Sequence, residues 1–210
     1  MLLLLTALAW NGEMKRLFEI FASAYVEPDD IVAVLEVGAI NFNGGPREIF
    51  ERRGCKYTGL DIAHGRGVDV VYGAGDPFPF ARAAFDLTIS TSMFEHDPFF
   101  WQSLLEMARV TKLGGLVFAT SPSTGPYHAH PGDNWRFQRD AVAALAVWAG
   151  RGGSAPLAVV EQFFANDMWK SNCMLWRRVR TPATNITMGT PFDTGRASLQ
   201  TTPARRGARA

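Results

Sequence analysis

The sequence predicts an α/β fold, a doubly wound and mostly parallel seven-stranded sheet whose final strand is reversed. Three observations predict this class. Short apolar runs rich in β-branched residues alternate with stretches whose apolar residues recur at helical spacing, as in sheets built with right-handed crossover helices. The runs are nearly continuous in apolar residues, as expected for strands covered on both faces. The last two runs, 157–164 and 172–178, are joined by a short loop and therefore predict an antiparallel pair.

The first half of the chain predicts an N-terminal helix followed by three strands. The apolar helix continues through Phe21, and Glu27-Pro-Asp-Asp30 ends it, so we treat residues 1–27 as an N-terminal helix. The strands are expected at 31–37, 56–61 and 68–71, with a helix from Pro46 to about Arg53 after the first of them.

The second half predicts a strand at 85–90 and a helix over 98–112. Asp97 suits the N-cap of that helix, with Pro98 in its first position, and Gly114-Gly115 suits its end. The remaining elements before the terminal strand pair are a strand at 116–120 and a helix at 139–149.

Length and composition are typical of one globular domain, with 210 residues of which 47% are hydrophobic and 20% charged. The formal net charge of +1 gives no reason to expect nucleic acid or an acidic membrane as a partner. Cys55 and Cys173 lie far apart in apolar runs, which predicts reduced core residues. We place the domain at 28–181 and expect a disordered tail at 182–210, which is rich in Thr, Pro, Gly and Arg and has no apolar period.

The leucine-rich start shares its composition with secretion signals. It lacks their basic n-region and a cleavage site that leads into a polar segment, and it is shorter than the roughly 20 apolar residues of a membrane span. The expectation is a cytoplasmic protein that does not associate with membranes.

Three segments end strands at the edge of the sheet where doubly wound folds bind ligands. Glu36 and Gly38 lead into a loop where the glycine allows a ligand to approach the backbone. Asp61 ends the next strand and suits the two hydroxyls of a ribose, and a third segment runs over 90–97. A nucleoside-containing ligand could serve hydride transfer or methyl transfer. The dinucleotide motif G-x-G-x-x-G is absent because Ile40 occupies its second glycine position.

Seven short motifs occur in a characteristic order. They are Leu-Glu-Val-Gly38, Tyr-Thr-Gly-Leu-Asp61, Gly67-Val-Asp-Val-Val71, Phe78-Pro-Phe80, Phe85-Asp-Leu-Thr-Ile-Ser90, Phe94-Glu-His96 and Arg109-Val-Thr-Lys-Leu-Gly-Gly115. With this order and spacing, the run from Val34 to about Ala149 resembles the class I S-adenosylmethionine-dependent methyltransferases, specifically the methyltransferase type 11 group. The terminal strand pair resembles the reversed pair that ends this fold and that dinucleotide-binding domains lack.

The resemblance implies S-adenosyl-L-methionine as the cofactor and a role for each matching residue. Glu36 and the Gly38 backbone would lie along the methionine moiety, Asp61 would hold the ribose, and the loop after Val71 would bracket the adenine. The residues expected to bind the cofactor are Glu36, Gly38, Asn41, Asn43, Asp61, Gly73, Ala74, Ser90, Thr91 and Ser92.

Two departures from the family pattern matter. Ile40 and Phe42 stand where the first loop usually has glycines, and Asn41, Asn43 and Gly44 are expected to compensate. Gly73 stands where the family often has an acid for the adenine amino group. Asp76, the nearest acid, is about three residues out of register.

A second group of polar residues follows the strand predicted at 116–120. It consists of Tyr127, His128, His130, Asp133, Trp135 and Arg136. Three hypotheses compete: an acceptor pocket with His128 or His130 as general base, a divalent metal site formed by His128, His130 and Asp133, or a structural loop with Asp133 paired to Arg136 and Trp135 packed on the sheet end. We favour the first, with no metal, and expect Tyr127, Asp133, Trp135 and Arg136 to bind substrate.

The expected function is methyl transfer from S-adenosyl-L-methionine to a small molecule or sugar, at oxygen. His96, His128 and His130 are the candidate bases, because histidine exchanges protons near neutral pH. The alternative is a cofactor-binding scaffold of the same fold. A third hypothesis, an NAD(P)-dependent reductase, is disfavoured by Ile40 and the terminal strand pair. The sequence specifies neither the acceptor nor the oligomeric state.

Overall fold

A computed structural model describes residues 2–26, 32–42, 44–151 and 155–181 of the chain. In these ranges the strands are β1 (Ala33–Val37), β2 (Lys56–Asp61), β3 (Val70–Val71), β4 (Phe85–Thr91), β5 (Thr111–Ser121), β6 (Leu157–Phe164) and β7 (Asn172–Arg178). The helices are α1 (Leu2–Tyr25), α2 (Arg47–Glu51), α3 (Phe100–Val110) and α4 (Ala141–Arg151). The tail predicted at 182–210 lies outside the described residues, as does Asn43.

The described strands form one seven-stranded sheet in the order β3-β2-β1-β4-β5-β7-β6. The pairs from β3 to β5 are parallel, whereas β7 runs antiparallel to both β5 and β6. The predicted fold class and the antiparallel terminal pair are therefore confirmed. The strand order reverses between β1 and β4, so the carboxyl ends of these two strands flank the crevice where ligands of such sheets bind.

Alternating side chains of the strands supply two buried clusters, one on each face of the sheet. Leu35 in β1 and Val117 in β5 pack in the cluster that contains α3 and α4. Their neighbours Val34 and Phe118 point to the other face, where α1 and α2 lie. Cys55 and Cys173 are free thiols buried in this second cluster, as the sequence predicts.

Helix α1 is anchored to the sheet by aromatic contacts. The ring of Phe18 lies 5.6 Å from Phe118 in β5 and 6.4 Å from Phe50 in α2, both in edge-on geometry. The Phe18 side chain is 2% exposed, which places the second half of α1 in the core of the domain. No helix in the described ranges combines the length and apolar character needed to cross a membrane.

Several element boundaries differ from prediction. Helix α3 begins at Phe100 rather than at 98, and Phe99 is its N-cap. The predicted cap Asp97 instead holds the preceding turn, since its carboxylate accepts hydrogen bonds from the Phe99 amide (2.7 Å) and the Ser103 hydroxyl (2.5 Å). Strand β5 begins at Thr111, so the pair Gly114-Gly115 lies within the strand and does not end the helix. Strand β3 is shorter than predicted.

Candidate functional site

The loop after β1 is fixed by its contacts with the next strands. Gly38 has a φ of 80°, and a β-carbon there would come within 2.7 Å of the Met93 side chain, so only glycine fits. The amide of Ile40 donates to the Asp61 carboxylate (2.9 Å), and the amide of Asn41 donates to the Arg66 carbonyl (2.8 Å). The loop therefore has a defined shape although it lacks the family's further glycines.

Glu36 carries a carboxyl group into the core at the carboxyl end of β1. Its side chain accepts a hydrogen bond from the Tyr57 hydroxyl (2.9 Å). Burial raises the pKa of Glu36 to about 7, and the Tyr57 hydrogen bond offsets part of that rise. A cavity of about 290 Å³ reaches this carboxyl group, and its lining includes Asn41 and Thr91 together with Lys15 and Arg66. The cavity joins part of the predicted cofactor set to basic residues that the sequence analysis did not single out, namely Lys15, Arg47, Arg52 and Arg66.

Asp61 lies at the last position of β2 with 9% of its surface exposed. Its carboxylate accepts from the Ile40 amide and from the amide of Ile62 (2.7 Å). A carboxylate offers about four acceptor positions, so these two bonds leave room for two further donors.

The turn after β3 contains Gly73 and Ala74, both predicted to lie near adenine. The Asp76 amide donates to the Gly73 carbonyl (2.9 Å), which folds the chain back on itself. As a result, the Asp76 carboxylate fills the space that a side chain at position 73 would occupy. The turn therefore brings the carboxylate of Asp76 beside position 73, although Asp76 lies three residues further along the chain.

The segment after β4 approaches the end of β5. Ser92 has a φ of 49°, and its amide donates to the Thr120 carbonyl (2.8 Å). The Ser90 hydroxyl is buried and makes no hydrogen bond within the described residues. Ser90 and Thr91 thus end β4 beside β1, at the switch point, as expected for residues that border a ligand.

Three of the predicted catalytic residues form one cluster. The ring of His96 lies 5.0 Å from His128 and 6.1 Å from His130. His130 also contacts Phe42 of the first loop, ring to ring at 4.4 Å, and His128 packs on Trp169 at 4.4 Å. Burial lowers the pKa of His96, which favours its neutral form. The structure therefore brings the histidines of two separate loops together at the edge of the first loop.

The loop after β5 is hydrogen-bonded to the segment after β4. The amide of Asn134 donates to the Glu95 carbonyl (2.7 Å), and its side chain donates to the His96 carbonyl (2.8 Å). Nδ1 of His96 lies 2.5 Å from the Gly132 carbonyl oxygen. The indole of Trp135 donates to the Asp97 carbonyl (3.0 Å). These bonds hold the two loops in register.

Asp133 and Arg136 form a bidentate ion pair (2.5 and 2.7 Å), and the Asp133 carboxylate also accepts from the His128 amide (2.8 Å). The Arg136 guanidinium holds the pKa of the Asp133 carboxyl well below its usual range. The metal set His128, His130 and Asp133 is therefore not supported, because this carboxylate is already engaged.

The other predicted substrate residues have different environments. Trp135 packs edge-on against Phe100 (5.4 Å) and Trp101 (5.9 Å), both in α3, whereas the structural hypothesis expected packing on the end of the sheet. Tyr127 is 76% exposed and is not brought into the histidine cluster.

Glu95 is a residue of this region that the sequence analysis missed. Its side chain is fully buried, and its Oε1 lies 3.7 Å from Nε2 of His96. Burial raises the pKa of Glu95 to about 8. The Ser121 hydroxyl lies near the carboxyl group but not in hydrogen-bonding geometry. The sequence offered one signal for Glu95, its position between Phe94 and His96. A motif of three residues does not reveal that the Glu95 side chain is buried.

Comparison with known proteins gives matches in sequence and in fold. Residues 35–119 match the family model of a methyltransferase domain. An uncharacterized methyltransferase from Mycobacterium sp. (strain JLS) is 34% identical over 110 residues, which cover 46% of this chain and 42% of that protein. Other mycobacterial relatives are covered to a similar degree, so the chain spans about half the length of the curated relatives it matches.

Solved structures share the fold at low sequence identity. The 1,6-didemethyltoxoflavin-N1-methyltransferase of Burkholderia thailandensis, solved with 1,6-didemethyltoxoflavin and S-adenosylhomocysteine bound, superimposes with a TM-score of 0.63 and 16% identity, over 80% of this chain and 79% of that one. The cyclase SpnF superimposes with a TM-score of 0.60 and 14% identity, over 79% and 80% of the two chains. At such identities the likeness concerns the fold alone.

Proposed function

We propose that this chain, which carries a methyltransferase domain of the S-adenosylmethionine-dependent class, transfers a methyl group to an oxygen atom of a small molecule or a sugar. One observation carries the proposal. The contact between Phe42 and His130 sets the histidine cluster directly beside the loop expected to hold the cofactor. Proton-accepting groups next to a methyl donor are what methylation of a hydroxyl requires.

The residues along the switch point fit the cofactor that the family uses. Bound S-adenosylmethionine supplies an electrophilic methyl group on a positively charged sulfur. Gly38 keeps the first loop free of a side chain, and Asp61 retains acceptor positions for the two ribose hydroxyls. Lys15 and Arg66 line the cavity at Glu36 and supply positive charge for the methionine carboxylate.

The adenine amino group is assigned to Asp76. The adenine amino group is a hydrogen-bond donor and would need an acceptor near Gly73. The carboxylate of Asp76 occupies that space because the 73–76 turn folds back. The turn supports an acidic contact to adenine in place of the backbone contacts that the sequence alone favoured.

His96 is the base best prepared by its surroundings. The Gly132 carbonyl accepts from Nδ1, so the neutral ring carries its lone pair on Nε2. His96 would take the proton of the acceptor hydroxyl at Nε2 while the oxygen attacks the methyl carbon. His128 and His130 lie within 6.1 Å of this ring and would bind and orient the acceptor.

A cofactor-binding scaffold remains the second candidate, and a specific observation favours it. The amides of Ile40 and Asn41 are already used by Asp61 and by the Arg66 carbonyl, which leaves fewer first-loop donors for a ligand. The reductase hypothesis is disfavoured, because residues 35–119 match the family model of a methyltransferase domain.

Titration calorimetry and turnover test the proposal separately. Binding of S-adenosylmethionine and S-adenosylhomocysteine, without binding of NAD, is expected for a methyltransferase. Turnover is then measured on acceptor panels matched in shape but bearing a hydroxyl or an amine. Binding without turnover on any acceptor supports the scaffold, and preferred methylation of the amine panel contradicts the oxygen assignment.

A further inference from the structure

Three side chains at the carboxyl ends of β4 and β5 converge on one point. Glu95, His96 and His128 each present one ligand atom, and these atoms all lie within 4.8 Å of one another. We propose that Glu95, His96 and His128 bind a divalent transition-metal ion such as Zn²⁺. Imidazole nitrogens with one carboxylate are donors that suit such ions rather than Mg²⁺ or Ca²⁺.

The state of Glu95 is an independent argument for a ligand at this point. Its side chain is completely buried, and neither carboxylate oxygen has a hydrogen-bond partner among the residues that the structure describes. Buried carboxylates are costly unless they are hydrogen-bonded, paired or bound to metal. The oxygen Oε1 faces Nε2 of His96 across 3.7 Å. The unsatisfied group therefore points into the cluster.

His96 is held in the manner of a metal ligand. Nδ1 of His96 lies 2.5 Å from the Gly132 carbonyl, which orients the ring and leaves Nε2 with a lone pair. Nδ1 of His128 lies 3.3 Å from the Asp133 carboxylate but makes no hydrogen bond with it, and this carboxylate instead accepts from the His128 amide (2.8 Å). A hydrogen bond from the second ring nitrogen to a carbonyl or carboxylate is the usual support of a metal-bound histidine, and His96 has it.

The distances favour a cation over a direct proton relay. A hydrogen bond between Glu95 and His96 would need about 2.7–3.0 Å, and the observed 3.7 Å is too long. A tetrahedral ion with bonds of about 2.0–2.1 Å separates its ligand atoms by about 3.4 Å. The Glu95–His96 separation of 3.7 Å is close to that value, and the full cluster, whose ligand atoms lie within 4.8 Å of one another, would close around the ion.

Neighbouring charges permit the site. Arg136 is the cation beside Glu95, and the bidentate pair with Asp133 compensates its charge. His130 contacts Phe42 and lies outside the ligand set, which makes it a matched control. If the proposed function holds, an ion here would occupy Nε2 of His96, so in the metal-bound protein that nitrogen would not be the base. The ion would instead border the acceptor and lower the pKa of its hydroxyl.

Metal binding can be measured without turnover or cofactor. The full chain, prepared without a histidine tag, is stripped with chelator and titrated with Zn²⁺ by calorimetry, and retained metal is counted by mass spectrometry after dialysis. One equivalent per chain with a Kd in the micromolar range or tighter is expected. Co²⁺ should give visible absorption typical of nitrogen and oxygen ligands.

Variants assign the ligands. Glu95→Gln, His96→Ala and His128→Ala should each weaken Zn²⁺ binding by about 10-fold to 100-fold. His130→Ala should leave Zn²⁺ binding unchanged. His128 is partly exposed, so its variant remains informative if the Glu95 variant does not fold. Absence of a bound equivalent in the parent chain overturns the proposal, and so does equal loss in the His130 variant. Because the test uses no S-adenosylmethionine, its failure is distinct from failure of the methyltransferase proposal.

Discussion

At the scale of single residues, the buried pair of Glu36 and Tyr57 links folding to pH. An unfolded chain titrates this carboxyl near 4.5, whereas burial raises its pKa to about 7 in the folded state. The folded state therefore holds the proton more tightly. The contribution of the Glu36 carboxyl to the unfolding free energy is fully present below pH 4.5 and is lost as the pH rises through about 7.

We predict that Glu36→Gln flattens this dependence. The parent chain, free of ligand, should lose on the order of 1–3 kcal/mol of unfolding free energy between pH 5 and 8 through this group. The glutamine variant should lose less, because it has no proton to release. Chemical denaturation at several pH values measures the effect, with Glu19→Gln on the exposed face of α1 as control. If the unfolding free energy of the Glu36 variant falls with pH as steeply as that of the parent, Glu36 is not the group responsible for this pH dependence.

A second residue-scale prediction separates the ribose and adenine contacts. Asp61→Ala should weaken S-adenosylmethionine binding by about 1–3 kcal/mol, because two buried hydroxyls lose an acceptor. Asp76→Ala should cost about 0.5–1.5 kcal/mol, the value of one hydrogen bond. Calorimetry on both variants is compared with Asp140→Ala, an exposed acid before α4. If the Asp61→Ala variant binds S-adenosylmethionine as tightly as the parent, the ribose contact is refuted. The Asp61→Asn variant tests whether loss of the hydrogen bond from the Ile40 amide alone explains any weaker binding.

At the scale of elements, apolar runs predicted the strands well where they are long and flanked by turn residues. Strands β6 and β7 match their predicted limits because each is a continuous run within an antiparallel pair. The start of β5 was wrong because Gly114-Gly115 resembles a helix end. Gly114 has a φ of 81° within the strand, next to a register shift opposite Phe85 and Leu87.

The positions of candidate site residues could be predicted from the sequence where a residue lies at or directly after the end of a predicted strand. Gly38 and Asp61 follow directly from the positions of β1 and β2. The clustering of His96 with His128 was not predictable, because it depends on hydrogen bonds between two loops more than 30 residues apart, such as the Asn134–Glu95 bond. The approach of the Asp76 carboxylate to Gly73 was not predictable for a similar reason, since a turn and not the strand register places it.

The loop from 122 to 138 is expected to act on the acceptor rather than on the cofactor. His128→Ala and His130→Ala should each lower turnover on the order of 10²-fold and leave S-adenosylmethionine affinity nearly unchanged. The proposed ribose and methionine contacts lie at the ends of β1 and β2, and this location is the reason for the expected asymmetry. Kinetics, calorimetry and melting temperature are measured for both variants, with and without chelator.

Each outcome has a distinct meaning. A lower melting temperature with turnover per folded molecule preserved would show a structural loop. Sensitivity to chelator in the parent and in the His130 variant, with rescue by Zn²⁺, would connect catalysis to the proposed cation site. Unchanged turnover in both variants would leave His96 as the histidine base.

At the scale of the whole molecule, most candidate groups that the structure describes lie along one edge of the sheet. The order β3-β2-β1-β4-β5 brings the carboxyl ends of these five parallel strands to that edge, and the antiparallel pair of β7 and β6 extends the sheet beyond β5. Helix α1 covers one side of the cavity at Glu36, since Met14, Lys15 and Phe18 line it. Binding at this edge therefore contacts elements from both halves of the domain and should stabilise it as a unit.

The last prediction follows from that coupling. S-adenosylhomocysteine at about 100 times its Kd should add about 2.7 kcal/mol to the unfolding free energy. For a chain of this size each kcal/mol raises the melting temperature by about 2–4 °C, so a rise of about 5–10 °C is expected. NAD at the same concentration should give no rise, because the first loop lacks the dinucleotide glycines at Ile40. The Asp61→Ala variant should show a smaller rise at equal ligand concentration, since its Kd is higher. Stabilisation by NAD would favour the reductase hypothesis. An equal rise in parent and variant would mean that S-adenosylhomocysteine binds elsewhere than at the carboxyl ends of β1 and β2.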